Sequence, residues 1–226
     1  MKAMIFAAGK GERMLPLTQD TPKPLLKINN KTLIEYHLEK LAKAGIKEVV
    51  INVAWMAEKI MQALGDGKRF GLNICYSREP NPLETAGAIR HAQALLGSKP
   101  VLVVNADVFT DFDFSILLNR ELQAQESARL VMVPNPQHNV KGDYVLGNDG
   151  LIKQKDKSGA NLTFAGISLI NPAMVYDFPG KEINFPLRDV FALAISRNNL
   201  SGLLYSGMWS DVGTPERLQA LNNKLM

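Results

Sequence analysis

The sequence predicts an α/β protein: a Rossmann-like, mostly parallel sheet with helices on both faces and a small antiparallel insertion in its second half. Three observations carry this reading. Met4 to Ala8, Val49 to Val53 and Val101 to Asn105 are short apolar runs, the signature of strands buried on both faces. Helical apolar spacing fills the intervals between them, giving the alternation of strand and helix that builds a parallel sheet. After about residue 110 the rhythm loosens into strand-like runs with short connections. At 226 residues with 46% apolar content, the chain buries its own core as one domain.

Taken in order, Met4 to Ala8 ends in Gly9, a strand running into a tight turn. Lys10 to Leu26 contains Pro16, Pro22 and Pro24 and reads as loop, and a loop of that length in a compact domain is usually functional. Thr32 caps a helix with Glu35 as its capping-box partner; Leu33, Ile34, His37, Leu38 and Leu41 form the inner face, and Gly45 ends it. Val49 to Val53 is a strand, Trp55 to Leu64 a helix, Leu72 to Tyr76 a strand, and Thr85 to Leu96 one helix. Val101 to Asn105 is a strand closing on Ala106 and Asp107. Arg129 to Val133, Gly142 to Leu146 and Leu162 to Ile170 are strands of the insertion. Pro186 to Ser196 is a helix, Leu203 to Val212 an extended run, and Thr214-Pro215 opens the last helix.

Composition narrows the function classes. Lys plus Arg total 26 against 22 acidic residues, a mild and dispersed excess with no basic run, which argues against a nucleic-acid partner and suits small anions. No apolar stretch is long enough to span a bilayer, and the N-terminus becomes glycine-rich and charged too early for a signal peptide. The single Cys75 excludes an internal disulfide and a multi-cysteine metal site. These features predict a cytoplasmic protein, monomeric or weakly self-associating, with no membrane partner.

The loop Ala8-Gly9-Lys10-Gly11-Glu12-Arg13 has the chemistry of a phosphate cradle: glycines bring backbone N–H groups close to an anion, and Lys10 and Arg13 add charge. It is neither a Walker loop, which needs Gly-Lys-Ser/Thr after four spacers, nor a dinucleotide loop, since Met14 stands where the third glycine belongs. Prolines on both sides of Lys23 present that lysine rigidly. Asp107 and Asp211 each end an extended run, and strand ends line the ligand crevice of an open parallel sheet. Two carboxylates beside a phosphate cradle make a hard-cation site suited to Mg²⁺. Asp111 and Asp113 compete with Asp107, but Asp113-Phe114-Ser115 reads as the cap of the next helix.

Residues 7–14, with Pro16-Leu17-Thr18 and Pro22-Lys23-Pro24-Leu25, resemble the signature of the sugar-1-phosphate nucleotidylyltransferases, and the resemblance covers the whole chain. It implies a nucleotide-binding half over about residues 1–110 and a sugar-binding half over about 111–226, at the length of the family's catalytic domain alone. Its substrates would be a nucleoside triphosphate and a sugar 1-phosphate, joined with release of pyrophosphate. By this resemblance Arg13, Lys23 and Asp107 are catalytic. Ala8, Gly9, Gly11, Glu12, Arg13, Lys23, Leu83, Thr85 and Gly87 hold the nucleotide, and Asp107 and Asp211 hold Mg²⁺. Asn105, Gly142 and Gly166 contact the sugar, and backbone groups near Leu83 read the base.

Two departures sharpen the substrate. Many members have Glu-Lys-Pro where this chain has Lys153-Gln154-Lys155-Asp156, which leaves Asp156 as the substitute for a sugar-binding glutamate. Glu84 stands where many have glycine. Leu83-Glu84-Thr85, Asn52-Val53-Ala54-Trp55, the stretch around Gly65 to Gly71 and Leu162 to Ser168 are similar to the uridylyltransferases acting on N-acetylmuramic acid α-1-phosphate, which take UTP and serve cell-wall recycling. Rival readings are another hexose-1-phosphate nucleotidylyltransferase, a non-catalytic nucleotide-sensing domain and a dinucleotide oxidoreductase. Cys75, Trp55, Trp209, His37, His91 and His138 are assigned by default to packing, helix or loop positions rather than to chemistry.

Overall fold

The computed structural model describes residues 1–156, 160–180 and 182–225. Lys157, which follows the Lys153 to Asp156 stretch in sequence, lies outside them. In chain order the elements are β1 (Lys2–Phe6), two 3₁₀ turns (Glu12–Met14 and Lys23–Leu25), β2 (Lys27–Ile28), β3 (Lys31–Thr32), α1 (Leu33–Lys43), β4 (Glu48–Val53) and α2 (Ala57–Leu64). Then come β5 (Asn73–Arg78), α3 (Glu84–His91), α4 (Gln93–Leu96), β6 (Val101–Asn105), β7 (Val108–Thr110), α5 (Ser115–Leu118) and β8 (Ala128–Val133). The chain continues through β9 (Tyr144–Leu146), β10 (Ile152–Gln154), β11 (Asn161–Ile170), α6 (Ala173–Tyr176), α7 (Leu187–Ser196), β12 (Leu200–Leu204), β13 (Trp209–Asp211) and α8 (Pro215–Leu225).

The central sheet has nine strands in the order β10-β9-β11-β6-β1-β4-β5, with β8 and β12 branching from β11. β1, β4, β5 and β6 run parallel, as the apolar runs predict; β11 is antiparallel to β6, β8 and β9. Alternation decides the layers. Ala3 and Ile5 of β1, Ile51 of β4 and Val104 of β6 face one core with α1 and α2, while Met4, Val50 and Val103 face the other with α3 and α7. Each fully buried aliphatic side chain is worth about 1.5–3 kcal/mol, so covering both faces stabilises a sheet of this width. A third cluster, Met14, Leu26, Ile28, Leu33, Phe109, Val212, Leu218 and Leu221, fastens α8 and the first loop to the sheet edge.

Register places the site. Phe6 at the end of β1 is level with Asn52 on β4 and Asn105 on β6, so three carboxyl ends form one ledge. β1 is the point where the sheet is extended in both directions, where open α/β sheets carry their crevice.

Several expectations change. The helix expected over Thr85 to Leu96 is two, because the Ala92 N–H bonds back to Ala88 and Ala92 opens α4. The extended run over Leu203 to Val212 is two strands in different sheets, β12 pairing with β8 and β13 with β7. Cys75 is exposed, since β5 is the sheet edge and Cys75 points to the face opposite the buried Ile74. Trp55 is also largely exposed, just before α2, and not a packing anchor. Trp209 does anchor: its Nε1–H donates to the Ala165 carbonyl at 2.9 Å. No helix among the described residues is long and apolar enough to cross a membrane.

Candidate active site

A cavity of about 600 Å³ opens over the ledge, lined by Phe6 to Met14, Lys23, Pro24, Asn52, Glu79, Glu84, Thr85, Asn105, Ala106, Asp107 and Gly213. Among the described residues, the N–H groups of Gly9 through Arg13 donate to no protein acceptor. Uncommitted N–H groups on a turn make an anion site, and the exposed Lys10 and Arg13 reinforce it. The two glycines do different things. Gly11 has φ +70°, and a Cβ there would press Thr18 Cγ2 at 3.0 Å and Lys23 Cβ at 3.2 Å. A Cβ on Gly9 would meet nothing within 4 Å, so that glycine borders open cleft.

Lys23 opens a 3₁₀ turn with Pro22 before it and Pro24 inside it. Its side chain is only 12% exposed, and Nζ donates to Asp107 Oδ2 at 2.6 Å. The second aspartate arrives from the far end of the chain. β13 pairs antiparallel with β7, Asp211 lies opposite Val108, and the Val212 N–H donates to the Asp107 carbonyl at 2.7 Å. This pairing sets the backbones of Asp107 and Asp211 side by side.

Asp211 is also held by Arg217 Nη1 at 2.5 Å and by His138 Nε2 at 2.7 Å, both meeting Oδ1. These contacts use Oδ2 of Asp107 and Oδ1 of Asp211, leaving the other oxygen of each without a protein partner among the described residues. Each half-committed carboxylate has an oxygen to lend to a hard divalent cation whose other ligands are water and phosphate oxygens. Among the described residues no cluster of three or more acidic, His or Cys groups forms a cation site by itself. Asp111 and Asp113 are otherwise employed: Asp111 accepts from the Tyr205 hydroxyl, and Asp113 caps Ser115 N–H at 2.9 Å.

The opposite wall is a buried polar chain. Ala7 N–H donates to Asn52 Oδ1 at 2.9 Å, Asn52 Nδ2 to Glu79 Oε1 at 2.8 Å, and Leu83 N–H to Glu79 Oε2 at 3.0 Å. Burial pushes the Glu79 carboxyl up from its ordinary value, against the pull of its Asn52 and Leu83 donors. The Leu83 N–H is therefore occupied and cannot read a base. Glu84 adopts φ +59°, a left-handed conformation that favours glycine and that an ordinary side chain takes at a cost of about 1–3 kcal/mol.

A second cavity of about 660 Å³ adjoins the first and shares Phe6, Glu84, Thr85 and Asn105 with it. Its walls include Tyr144, Phe164, Phe191, Ser168, Asn184 and Arg188. Gly166, at φ +72° within the irregular stretch of β11, also lines it; a Cβ there would meet Asn105 Nδ2 at 2.8 Å. The Thr85 hydroxyl accepts the Leu187 N–H at 2.8 Å, tying the starts of α3 and α7 together beneath both cavities.

Of the residues singled out in the sequence, Ala8, Gly9, Gly11, Glu12, Arg13, Lys23, Thr85, Asn105 and Asp107 border the first cavity, and Gly166 the second. Four lie elsewhere. Leu83 is buried, and Gly87 packs so closely on Ile183 that a Cβ would stand 2.3 Å from its carbonyl oxygen. Gly142 is buried at φ +60° against Asn135 and Asn161, and Asp156 is exposed just after β10. Glu79, His138, Arg188 and Arg217 were not singled out as site residues. Glu79 directly follows β5 and so carried the strand-end signal, whereas Arg188 reaches the second cavity, and His138 and Arg217 reach Asp211, only through tertiary contacts.

Comparison with known proteins agrees with this architecture. The family model described as nucleotidyl transferase matches residues 2–226. The chain is 47% identical over 224 residues to N-acetylmuramate alpha-1-phosphate uridylyltransferase of Neisseria meningitidis serogroup B, covering 97% of this chain and 96% of that protein. It is 30% identical to the mannose-1-phosphate guanylyltransferase catalytic subunit beta of Drosophila melanogaster, over 95% of this chain but 60% of that one. The crystal structure of HddC from Yersinia pseudotuberculosis complexed with GMP-PN superposes with a TM-score of 0.81 at 19% identity, covering 100% of this chain and 99% of that one, a likeness of fold. A match along essentially the whole chain places this protein in the nucleotidyl transferase family.

Proposed function

We propose that the protein transfers UMP from UTP to N-acetylmuramic acid α-1-phosphate, giving UDP-N-acetylmuramic acid and pyrophosphate, within cell-wall recycling. The observation that carries the chemistry is the meeting of two cavities at the strand end that bears Asp107, with Asp211 brought beside it by β13. The near full-length likeness to the Neisseria uridylyltransferase supports the choice of base and sugar.

The nucleotide half, about residues 1–110, supplies the cradle. N–H groups of Gly9 to Arg13 and the Arg13 guanidinium hold the β- and γ-phosphates and neutralise the charge that grows on departing pyrophosphate. The sugar half, about residues 111–226, presents the acceptor so that a phosphate oxygen stands in line with the α-phosphorus. That oxygen is already an anion, so no protein nucleophile or general base is required. Lys23 faces the point of attack and stabilises charge spreading over the α-phosphoryl oxygens. Asp107 and Asp211 would hold Mg²⁺, which supplies further charge neutralisation between the two phosphates. Arg217 and His138 hold one oxygen of Asp211 and fix the orientation of its carboxylate.

The test is pyrophosphate release from UTP and N-acetylmuramic acid α-1-phosphate with Mg²⁺, measured for wild type, Asp107→Asn and Asp211→Asn. Turnover in wild type that falls by at least 100-fold in both variants, as loss of charge stabilisation at phosphorus implies, supports the assignment. Near-normal rates in either variant remove that residue from the site.

A further inference from the structure

The two cavities divide their charges unevenly. The cationic side chains lining the first are Lys10, Arg13 and Lys23, grouped where phosphates belong. The second cavity has one, Arg188, on the first turn of α7. A neutral hexose offers a guanidinium hydroxyl acceptors but no charge to pair with, and the phosphates of both substrates are provided for by the other three. Arg188 is uncommitted as well: its ion pair is with the neighbouring Asp189, a loose 3.6 Å contact between two exposed groups. Around it the cavity mixes aromatic side chains, Tyr144, Phe164 and Phe191, which suit the ring face and methyl groups of a substituted sugar, with polar ones, Thr85, Asn105, Ser168 and Asn184. The Glu84 carboxylate is on the wall shared with the first cavity, which leaves Arg188 as the group there that attracts an anion.

We propose that Arg188 is the specificity-determining residue for the sugar, pairing with the lactyl carboxylate that distinguishes N-acetylmuramic acid from N-acetylglucosamine. The inference rests on the muramate reading above and assigns its recognition to one side chain. Arg188 presents a planar fork that matches a carboxylate in two parallel hydrogen bonds. Its position on α7 is fixed from below by the Thr85 to Leu187 hydrogen bond, so the helix start is registered against the floor shared with the nucleotide cavity. Asp156, offered by the family resemblance as a sugar contact, lines neither cavity and has the wrong sign for the task.

The experiment compares kcat/KM for the α-1-phosphates of N-acetylmuramic acid and N-acetylglucosamine, each with UTP, in wild type, Arg188→Gln and Arg188→Lys. Loss of a charge-assisted bidentate contact predicts that Arg188→Gln lowers the muramate-to-glucosamine ratio by about 10- to 100-fold, mainly through KM, with Arg188→Lys between. The residue is exposed, so both variants should melt with wild type. A ratio unchanged in Arg188→Gln, or equal losses on both substrates, overturns the assignment while leaving the muramate reading intact. A wild type that does not use the muramate substrate overturns both.

Discussion

Lys23 gives the sharpest separation between holding the fold and doing the chemistry. Replacing it by Met keeps the aliphatic stem and removes only the charge that meets Asp107 at 2.6 Å. That ion pair is partly open, Asp107 being 32% exposed, so its contribution to folding is about 1 kcal/mol or less. For a chain of this size such a loss moves Tm by roughly 2–4 °C. In the reaction the same ammonium faces charge that develops only as the α-phosphorus is attacked, in a cleft preorganised by Pro22 and Pro24. Removing one such group costs about 100- to 1,000-fold in kcat, roughly 3–4 kcal/mol. The assay is steady-state pyrophosphate release with UTP varied at saturating sugar phosphate, alongside a thermal melt. Lys23→Met should lower kcat by that factor, change KM for UTP by a few-fold and barely shift the melt. A kcat within fivefold of wild type would refute the placement of Lys23 at the reacting centre. A Tm loss well beyond 4 °C would mean the ion pair is chiefly structural.

Two other perturbations follow from geometry. Gly9→Ala should leave Tm unchanged, because its methyl enters open cleft, but raise KM for UTP by crowding the cradle; Gly11→Ala forces a left-handed φ on a side chain pressed against Thr18 and should lower Tm by several degrees, about 1–2 kcal/mol. Paired melts and UTP titrations distinguish the two. His37 is fully buried, and burial lowers its pKa from 6.5 to about 4 against the opposing pull of the Val108 backbone. Since the unfolded chain takes up that proton first, the group contributes stability present above pH 6.5 and lost as pH falls towards 4, about 3 kcal/mol in all. Denaturant melts from pH 7 to 4 should show a shallower acid loss in His37→Leu than in wild type, and parallel slopes would contradict it.

Much of the first half was legible because its signals are local. Thr32 and Glu35 announce α1 within four residues, and the structure has Glu35 Oε2 accepting both the N–H and the hydroxyl of Thr32. Val101 to Asn105 matches β6 residue for residue because a run buried on both faces admits no alternation. What escaped depends on distant partners. Nothing near Leu203 says that β12 and β13 join different sheets. The edge position of β5 that exposes Cys75 is a property of strand order. The contact of His138 with Asp211 joins a loop to a strand far along the chain, and the occupation of the Leu83 N–H depends on Glu79 being held by Asn52 from another strand. Glu84 illustrates an intermediate case. Its departure from glycine is visible in sequence, while its φ of +59° and its place between the two cavities are not.

The most direct test of the whole account is a single competition. The protein, Mg²⁺ and equal amounts of UTP, dTTP, CTP, GTP and ATP are mixed with equal amounts of the α-1-phosphates of N-acetylmuramic acid, N-acetylglucosamine, glucose and mannose, and the early products are identified by mass spectrometry. The ratios of products then report the ratios of kcat/KM. Predominance of UDP-N-acetylmuramic acid is the predicted result. Predominance of GDP-mannose or another nucleotide sugar would contradict the assignment of base and sugar, and no nucleotide sugar at all would contradict the catalytic reading of the cleft.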